Sequence, residues 1–258
     1  MSARTGVMLA KPLPPSLLAE MPTWVIVQAK LDGDRCRAVP YLDGGYTLYS
    51  SQGTIRNFAV PHIAARLSAL ARELWGVDPA GWKVFDGELY IHGVSHQAIR
   101  SVVSRTANLH PDSDKLEFHV FDFISDAQQL KRTQDLMTLS NLVGPSDSIR
   151  VVPTFKVPNT MEDIQSAMRQ FLDAGYEGVI VRDPLAPYEP KRSSHLLKLK
   201  PDRYGEAQCL DFIEAVSLDG DPKGMLGAFL VRCELAGKEK IFKVGAGKLS
   251  HAQRTAFW

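Results

Sequence analysis

Apolar runs separated by turn sequences mark the predicted strands along most of the chain. The run from Trp24 to Ala29 is largely apolar and β-branched, which is typical of a buried strand. Apolar residues recur at a helical period over 62–75 and 161–174, which predicts two amphipathic helices. Further strands are predicted at 46–50, 82–85, 118–124, 149–155, 178–182 and 196–200, and further helices at 95–104 and 126–143. This mixture of elements predicts an α+β fold.

The pattern changes between Pro201 and Glu206. Beyond this point short strands are predicted at 210–216, 227–234 and 240–244, and helix signals return only at 250–257. We therefore place a domain boundary near residue 203. It separates a first domain of residues 1–203 from a small β-rich domain of residues 204–258.

Composition and charge exclude some classes of protein. The chain of 258 residues is long enough to bury a core in one or two domains. No apolar run approaches the roughly 18 residues of a membrane span, and no secretory signal precedes the first strand. Three cysteines lie far apart without a metal-ligand spacing, which predicts a reducing compartment and no zinc site. The net charge of +1 means that any nucleic-acid surface must be local.

A lysine stands at the end of the first predicted strand. Lys30 is followed by an Asp32-Gly33 turn and then by Arg35. A lysine in this place could act as a nucleophile, with Arg35 holding a phosphate group. The same six residues could equally form a charged surface hairpin. These residues alone leave both interpretations open.

Other predicted strands also end in residues suited to phosphates and metals. Glu88 and Glu177 are carboxylates of the kind that hold a divalent cation, although each alone could be a surface acid. Lys198 and Lys200 alternate with leucines, so both lysines lie on one face of a strand, where a bound anion would relieve their repulsion. Phe121 could pack in the core or stack on a base. His96, in the predicted helix 95–104, is interpreted as a surface or capping residue.

Taken in order and spacing, these motifs resemble those of the ATP-dependent DNA ligases. The motifs are K-x-D-G-x-R at 30–35, the serine motif at 50–53, D-G-E at 86–88, the aromatic motif at 118–123, E-G-x-x-x-R at 177–182 and K-x-K at 198–200. The resemblance implies a nucleotidyltransferase (adenylation) domain of antiparallel sheets with helices, followed by a small β-barrel of the OB-fold type. The barrel is expected to be incomplete, because the chain stops at Trp258 without a match to the final basic motif of the family.

The resemblance also implies a reaction. Lys30 is the expected nucleophile, which takes AMP from ATP and releases pyrophosphate. Lys198 and Lys200 are expected to hold the α-phosphate and to help expel pyrophosphate. Glu177 is expected to bind Mg²⁺ or Mn²⁺. AMP then passes to the 5′-phosphate of a nick, and the adjacent 3′-hydroxyl displaces it.

Nucleotide binding is expected to involve three further residues. By resemblance, Arg35 contacts phosphates of the substrate, Glu88 binds the ribose and Phe121 stacks on the adenine. The resemblance implies a monomeric cytoplasmic enzyme, in a bacterial cell or a phage-infected host, that acts on nicked duplex DNA.

DNA binding is expected from local polar and basic segments. The candidate residues are Ser51, Lys191, Arg192, Arg203 and Lys243. Many relatives carry an arginine at the position of Ser51, so the resemblance does not imply how this side of the site binds the nick phosphate or the 3′-end. Contacts of this kind to the phosphate backbone would make binding independent of sequence and sensitive to salt.

Two alternatives remain open from the sequence. An RNA ligase or a capping-type guanylyltransferase would share the lysine motif and the fold. A nucleic-acid-binding module with a decayed site would keep the fold without the activity, although the intact set of lysines and carboxylates argues against decay.

Overall fold

The computed structural model describes residues 6–201, 205–235 and 237–258. Chain contacts divide the protein into unit 1, Met1–Pro201, and unit 2, Asp202–Trp258. The boundary predicted at residue 203 lies outside the described residues. No helix in the described ranges is long and apolar enough to cross a membrane.

Unit 1 contains a five-stranded sheet that carries the end of the lysine strand. Its strands, in spatial order, are β1 (Leu9–Pro12), β10 (Arg192–Leu199), β9 (Gly178–Arg182), β2 (Trp24–Lys30) and β8 (Thr154–Pro158). The β1–β10 pair is parallel and the other pairs are antiparallel. The apolar side chains of β2 face the core, and Val25 and Val27 are fully buried.

A second five-stranded sheet carries the D-G-E and aromatic motifs. Its strands, in spatial order, are β4 (Gly45–Ser50), β3 (Asp34–Tyr41), β5 (Val84–Tyr90), β6 (Glu117–Ile124) and β7 (Ile149–Val151). Only the edge pair β6–β7 is parallel among these strands. The β2–β3 turn connects the two sheets, so the lysine motif lies where they meet.

Within residues 6–201, unit 1 has five α-helices. They are α1 (Pro15–Leu18), α2 (Pro61–Trp75), α3 (His96–Val103), α4 (Gln129–Ser140) and α5 (Met161–Asp173). The periodic apolar positions of the sequence face inward, as shown by Leu67 in α2 and Ile164 in α5, which are fully buried. Thr160 caps α5 by accepting a hydrogen bond from the backbone N–H of Asp163. The predicted α+β fold is confirmed.

Several predicted strands differ from the structure. The strand expected at 82–85 is β5, which runs from Val84 to Tyr90 and so contains the D-G-E motif that was expected to follow it. The strand expected at 149–155 is divided, because β7 ends at Val151 and joins the second sheet, whereas β8 starts at Thr154 and joins the first. Pro153 lies in the break, where it has no backbone N–H to donate to either sheet. β10 begins at Arg192 rather than at 196, because Arg192 pairs with Leu9 of β1. That pairing joins residues far apart in the chain, so the sequence around Arg192 does not indicate that the strand begins there.

Unit 2 is a three-stranded antiparallel sheet with one helix. The elements are β11 (Gln208–Val216), β12 (Pro222–Leu235), β13 (Lys238–Gly245) and α6 (His251–Phe257). Phe257 of α6 meets the ring of Phe229 at 6.0 Å, and Arg254 Nε donates to the carbonyl of Leu226 at 2.7 Å. The sheet is open rather than closed into a barrel in 205–235 and 237–258, so the OB-fold stays a prediction.

Candidate active site

Lys30 lies at the last position of β2, beside the start of β9. The backbone N–H of Glu177 donates to the carbonyl of Lys30 at 3.1 Å, and Lys30 pairs with Gly178 in the sheet. A Cβ on Gly178 would lie 2.4 Å from the carbonyl oxygen of Leu199, so only glycine lets β9 approach β10 here. This close approach brings Glu177 next to both Lys30 and Lys200.

The Glu177 carboxylate forms ion pairs with two lysines. Oε2 contacts Lys30 Nζ at hydrogen-bond distance, and Oε1 lies 3.4 Å from Lys200 Nζ. Partial burial acts to raise the pKa of Glu177, but the hydrogen bond and charge of Lys30 outweigh it and lower the pKa. Partial burial, followed by the charge of Lys30, lowers the pKa of Lys198. The arrangement concentrates three ammonium groups around a single carboxylate.

A cavity of about 380 Å³ opens beside the Lys30 side chain. It is lined by several of the residues selected from the sequence, namely Lys30, Arg35, Ser51, Glu88, Phe121, Arg192 and Lys198. Ligand pockets for small molecules have volumes of roughly 300–1,000 Å³, so the cavity is large enough for a nucleotide. The fold therefore joins residues from five strands and one turn.

A β-bulge directs Phe121 into this cavity. In the β5–β6 pair, Asp86 faces Asp122 and Gly87 faces Val120, so Phe121 is the extra residue. A bulge changes the direction of the side chain that it carries. Phe121 lines the cavity, whereas Phe123, two residues on, is buried in the core.

Two guanidinium groups lie over the Phe121 ring. The Arg35 and Arg182 Cζ atoms are 5.1 Å and 5.6 Å from the ring centroid. Arg35 also donates to both carboxylate oxygens of Asp86, at 3.0 Å and 2.5 Å. Burial acts to lower the pKa of Arg35, but Asp86 outweighs it and raises the pKa. Arg35 is thus held in place by protein groups, and contact with substrate phosphates stays a prediction.

Glu88 has an unusual carboxyl group. Burial raises its pKa to about 8, and the positive charges of Arg35 and Lys30 only partly oppose this effect. This shift favours the protonated form of the carboxyl group, which can both donate and accept a hydrogen bond. A ribose hydroxyl group has the same capacity, so the side chain is chemically suited to such a ligand.

Comparison with known proteins shows the family of the chain. Residues 7–200 match the ATP dependent DNA ligase domain family. The DNA ligase of African swine fever virus is 34% identical over 253 residues, which cover 95% of this chain. The chain belongs to the ATP-dependent DNA ligase family. The resemblance found in the sequence motifs is confirmed.

Solved structures share the fold of this ligase-family chain. The protein named Pmar-Lig_PreS3 aligns with a TM-score of 0.81 and 24% identity, covering 99% of this chain and 59% of the other. A Lig E DNA ligase aligns with a TM-score of 0.68 and 24% identity, covering 97% and 87%. The chain spans only 56% of the length of the viral ligase that it matches.

A buried polar network behind Phe121 was not selected from the sequence. Asp122 accepts from Arg132 Nε at 2.7 Å and from Arg182 Nη1 at 2.6 Å, and all three side chains are at most 4% exposed. Gln28 lines the cavity and accepts from Arg182 Nε at 2.5 Å. Isolated Asp and Gln residues in a sequence carry no signal of such a network. The sequence offered only the place of Arg182 in a family motif.

His96 does not have the capping role expected from the sequence. Ser95 caps α3 by accepting from the backbone N–H of Ala98, whereas His96 Nδ1 lies 2.9 Å from the carbonyl oxygen of Gly33. His96 also lines the cavity. The interpretation as a capping residue was wrong, because the partner of His96 lies 63 residues away in the chain.

The expected DNA-binding residues are dispersed. Lys191 is exposed and pairs with Glu189 at 3.1 Å. Arg192 donates to the carbonyl of Ala10 at 2.8 Å and lines the cavity. Lys243 is exposed on β13 of unit 2. Arg203 lies outside the described residues. The role of each in binding DNA stays a prediction.

Proposed function

We propose that this chain is an ATP-dependent DNA ligase that seals nicks through an AMP group carried on Lys30. The observation that supports this best is the position of Lys30, at a nucleotide-sized cavity and against the Glu177 carboxylate. Family membership supports the reaction class, and the geometry supports the chemical role that we assign to each residue.

The first step forms a bond between Lys30 Nζ and the α-phosphorus of ATP, and the bond from that phosphorus to pyrophosphate breaks. The Lys30 ammonium group must release one proton to solvent before Nζ attacks and a second as the phosphoramidate bond forms, and Glu177 lies where it orients Nζ. Lys198 and Lys200 supply positive charge for the transferring phosphoryl group. Phe121 lines the cavity beside Lys30 and is assigned to stack on the adenine.

A divalent cation fits the Glu177 position. In 6–201, 205–235 and 237–258 no cluster of three or more His, Cys, Asp or Glu side chains could by itself hold a metal ion. Mg²⁺ is commonly held by one or two carboxylates together with substrate phosphates, which matches a single carboxylate beside a phosphate site. Mg²⁺ or Mn²⁺ held by Glu177 would neutralise charge on the phosphates.

The later steps require a nicked duplex. AMP moves from Lys30 to the 5′-phosphate of the nick, and the 3′-hydroxyl then displaces AMP and forms the phosphodiester bond. Ser51 and Arg192 line the same cavity as Lys30, so strand contacts are assigned to its rim. Lys191, Arg203 and Lys243 are assigned to contacts with the phosphate backbone of the duplex.

Incubation with Mg²⁺ and α-labelled ATP or GTP, followed by denaturation, tests the proposal. We expect covalent label from ATP and none in Lys30→Ala. Label from GTP alone would support the capping alternative, and absence of label from both would contradict the proposal. A nicked DNA duplex and a nicked RNA duplex, offered to the labelled protein, then separate a DNA ligase from an RNA ligase.

A further inference from the structure

Helix α3 contacts the β2–β3 turn at two successive residues. His96 Nδ1 lies 2.9 Å from the carbonyl oxygen of Gly33, and Arg100 Nη1 lies 3.2 Å from Asp34 Oδ1. Positions 96 and 100 are four apart, so they share one face of the helix. One face of α3 therefore holds both contacts to the turn that follows Lys30.

A third contact joins the same turn to the far end of the helix. Arg56 Nη2 lies 3.1 Å from Asp34 Oδ2, as an ion pair rather than an aligned hydrogen bond. Arg56 Nη1 donates to the carbonyl of Val103, the last residue of α3, at 3.1 Å. The side chains of Asp34 and Arg56 are both 8% exposed, so these charges are weakly screened by solvent.

The opposite side of the turn has no free space. A Cβ on Gly33 would lie 2.4 Å from the carbonyl oxygen of Leu89 and 2.7 Å from Glu88 Cγ. The turn is therefore packed against β5 on one side and bonded to α3 on the other. Lys30, three residues before Gly33, takes its position from this turn as well as from its pairing with Gly178.

We propose that His96 is a positioning residue for Lys30, acting through a hydrogen bond from its Nδ1–H to the carbonyl of Gly33. A carbonyl oxygen only accepts, so Nδ1 carries the proton, and in the neutral ring Nε2 is left unprotonated. This hydrogen bond fixes the backbone of the β2–β3 turn, and that turn fixes the position of Lys30. This inference rests on the proposed function, since Lys30 adenylylation is one of its readouts.

Three substitutions at His96 test which ring nitrogen matters. An asparagine amide reaches roughly the place of Nδ1, a glutamine amide that of Nε2, and phenylalanine offers no donor. We expect His96→Asn to label at close to the wild-type rate. We expect His96→Gln and His96→Phe to label about 10-fold more slowly, with the KM for ATP within about 2-fold, because small misplacement of a reacting group is costly.

A matched control separates positioning from stability. His62 in α2 also bonds a backbone carbonyl, that of Leu116 at 3.0 Å, but it does not line the cavity. We expect His62→Phe to lower the thermal midpoint of unfolding as much as His96→Phe does, while leaving the labelling rate unchanged. If the three His96 variants label equally, whether all slow or all fast, the proposal is overturned.

A second measurement does not depend on activity. Nitrogen-15 NMR of the histidines in the wild-type protein reports the tautomer of each neutral ring. We expect His96 to be the Nδ1–H form, and a dominant Nε2–H form would overturn the proposal. If wild-type protein takes no label, the proposed function fails, but the tautomer still tests the contact between His96 and Gly33. This measurement also covers the case in which His96→Phe does not fold.

Discussion

Units 1 and 2 place their charged and apolar side chains in opposite ways. In unit 1 the charges near the cavity are paired and largely buried, as in the Asp122–Arg182 ion pair. In unit 2 the Arg232–Glu239 pair is open to solvent, with side chains 41% and 66% exposed. Buried ion pairs hold the side chains of a site in place before a ligand binds. The exposed side chains of the unit 2 sheet are instead available to contact a binding partner.

The apolar residues show the same contrast. Unit 1 has a large core that includes fully buried aromatic residues such as Phe85 and Phe118. In unit 2 the aligned residues Phe212 and Val244 flank Phe229 across the sheet, yet they are 44% and 41% exposed. Unit 1 therefore has the means to hold a precise catalytic geometry by itself, and the contribution of unit 2 is expected in binding.

Removal of the nucleophile should give the largest effect in unit 1. Lys30→Ala removes the amine that forms the bond to AMP, so we expect complete loss of covalent label from α-labelled ATP. The measurement is a denaturing gel after incubation with Mg²⁺. Lys243→Ala, in unit 2, is the control and should label normally. Residual label in Lys30→Ala would place the nucleophile elsewhere and remove the contrast between the units.

Removal of a buried charge should strongly destabilise unit 1. Asp122→Ala leaves Arg132 and Arg182 buried without their partner, so we expect a loss of about 3–5 kcal/mol in the free energy of unfolding. Glu239→Ala breaks an exposed pair in unit 2 and should cost less than about 1 kcal/mol. Denaturant unfolding followed by tryptophan fluorescence measures both. If both variants lost the same free energy of unfolding, the burial of an ion pair would not explain the difference between the two units.

Charge reversal in unit 2 should weaken DNA binding without affecting the first chemical step. Lys243→Glu removes an exposed cation, so the affinity for a nicked duplex should fall for every sequence, and the salt slope should decrease by about 1. Lysine adenylylation should be unchanged. Lys115→Glu, an exposed reversal in unit 1 away from the cavity, is the control. A slower adenylylation in Lys243→Glu would argue against a purely binding role for unit 2.

The titration of Glu88 should make the stability of unit 1 depend on pH. The ordinary pKa of 4.5 applies to the unfolded chain, and burial raises the pKa to about 8 in the folded protein. Between these values the folded state binds more protons, so its stability falls as the pH rises. We expect the thermal midpoint of the wild type to fall relative to that of Glu88→Gln as the pH is raised from about 5 to about 8. Each kcal/mol of lost stability should lower the midpoint by roughly 2–4 °C. A constant difference between the two proteins would show that folding does not raise the pKa of Glu88.

Much of the framework of unit 1 could be predicted from the sequence. The strand predicted from Trp24 is β2, because β-branched apolar residues in a row signal a buried strand. The helix predicted at 161–174 is α5, which runs from Met161 to Asp173, because its apolar side chains recur at the helical period and Thr160 caps it. These features depend on neighbours a few residues apart, which the sequence displays directly.

Contacts between distant residues could not be predicted in this way. The pairing of Arg192 with Leu9 and the contact of His96 with Gly33 join parts of the chain that carry no shared local pattern. The buried network around Asp122 is similar, since a carboxylate gives no sign in the sequence of whether two guanidinium groups will surround it. Tertiary packing decides these contacts, because it sets which polar groups must find a partner away from water.

The sequence by itself determined the order of the motifs, the lysine at a strand end and the family to which they point. Those properties follow from residue type and spacing, which folding does not alter. Only the tertiary structure decided which aromatic residue faces the cavity. Phe121 and Phe123 are two apart and would share a face of a regular strand, but the bulge at Phe121 separates them. A bulge is set by how two strands pair, so it arises only when β5 and β6 come together.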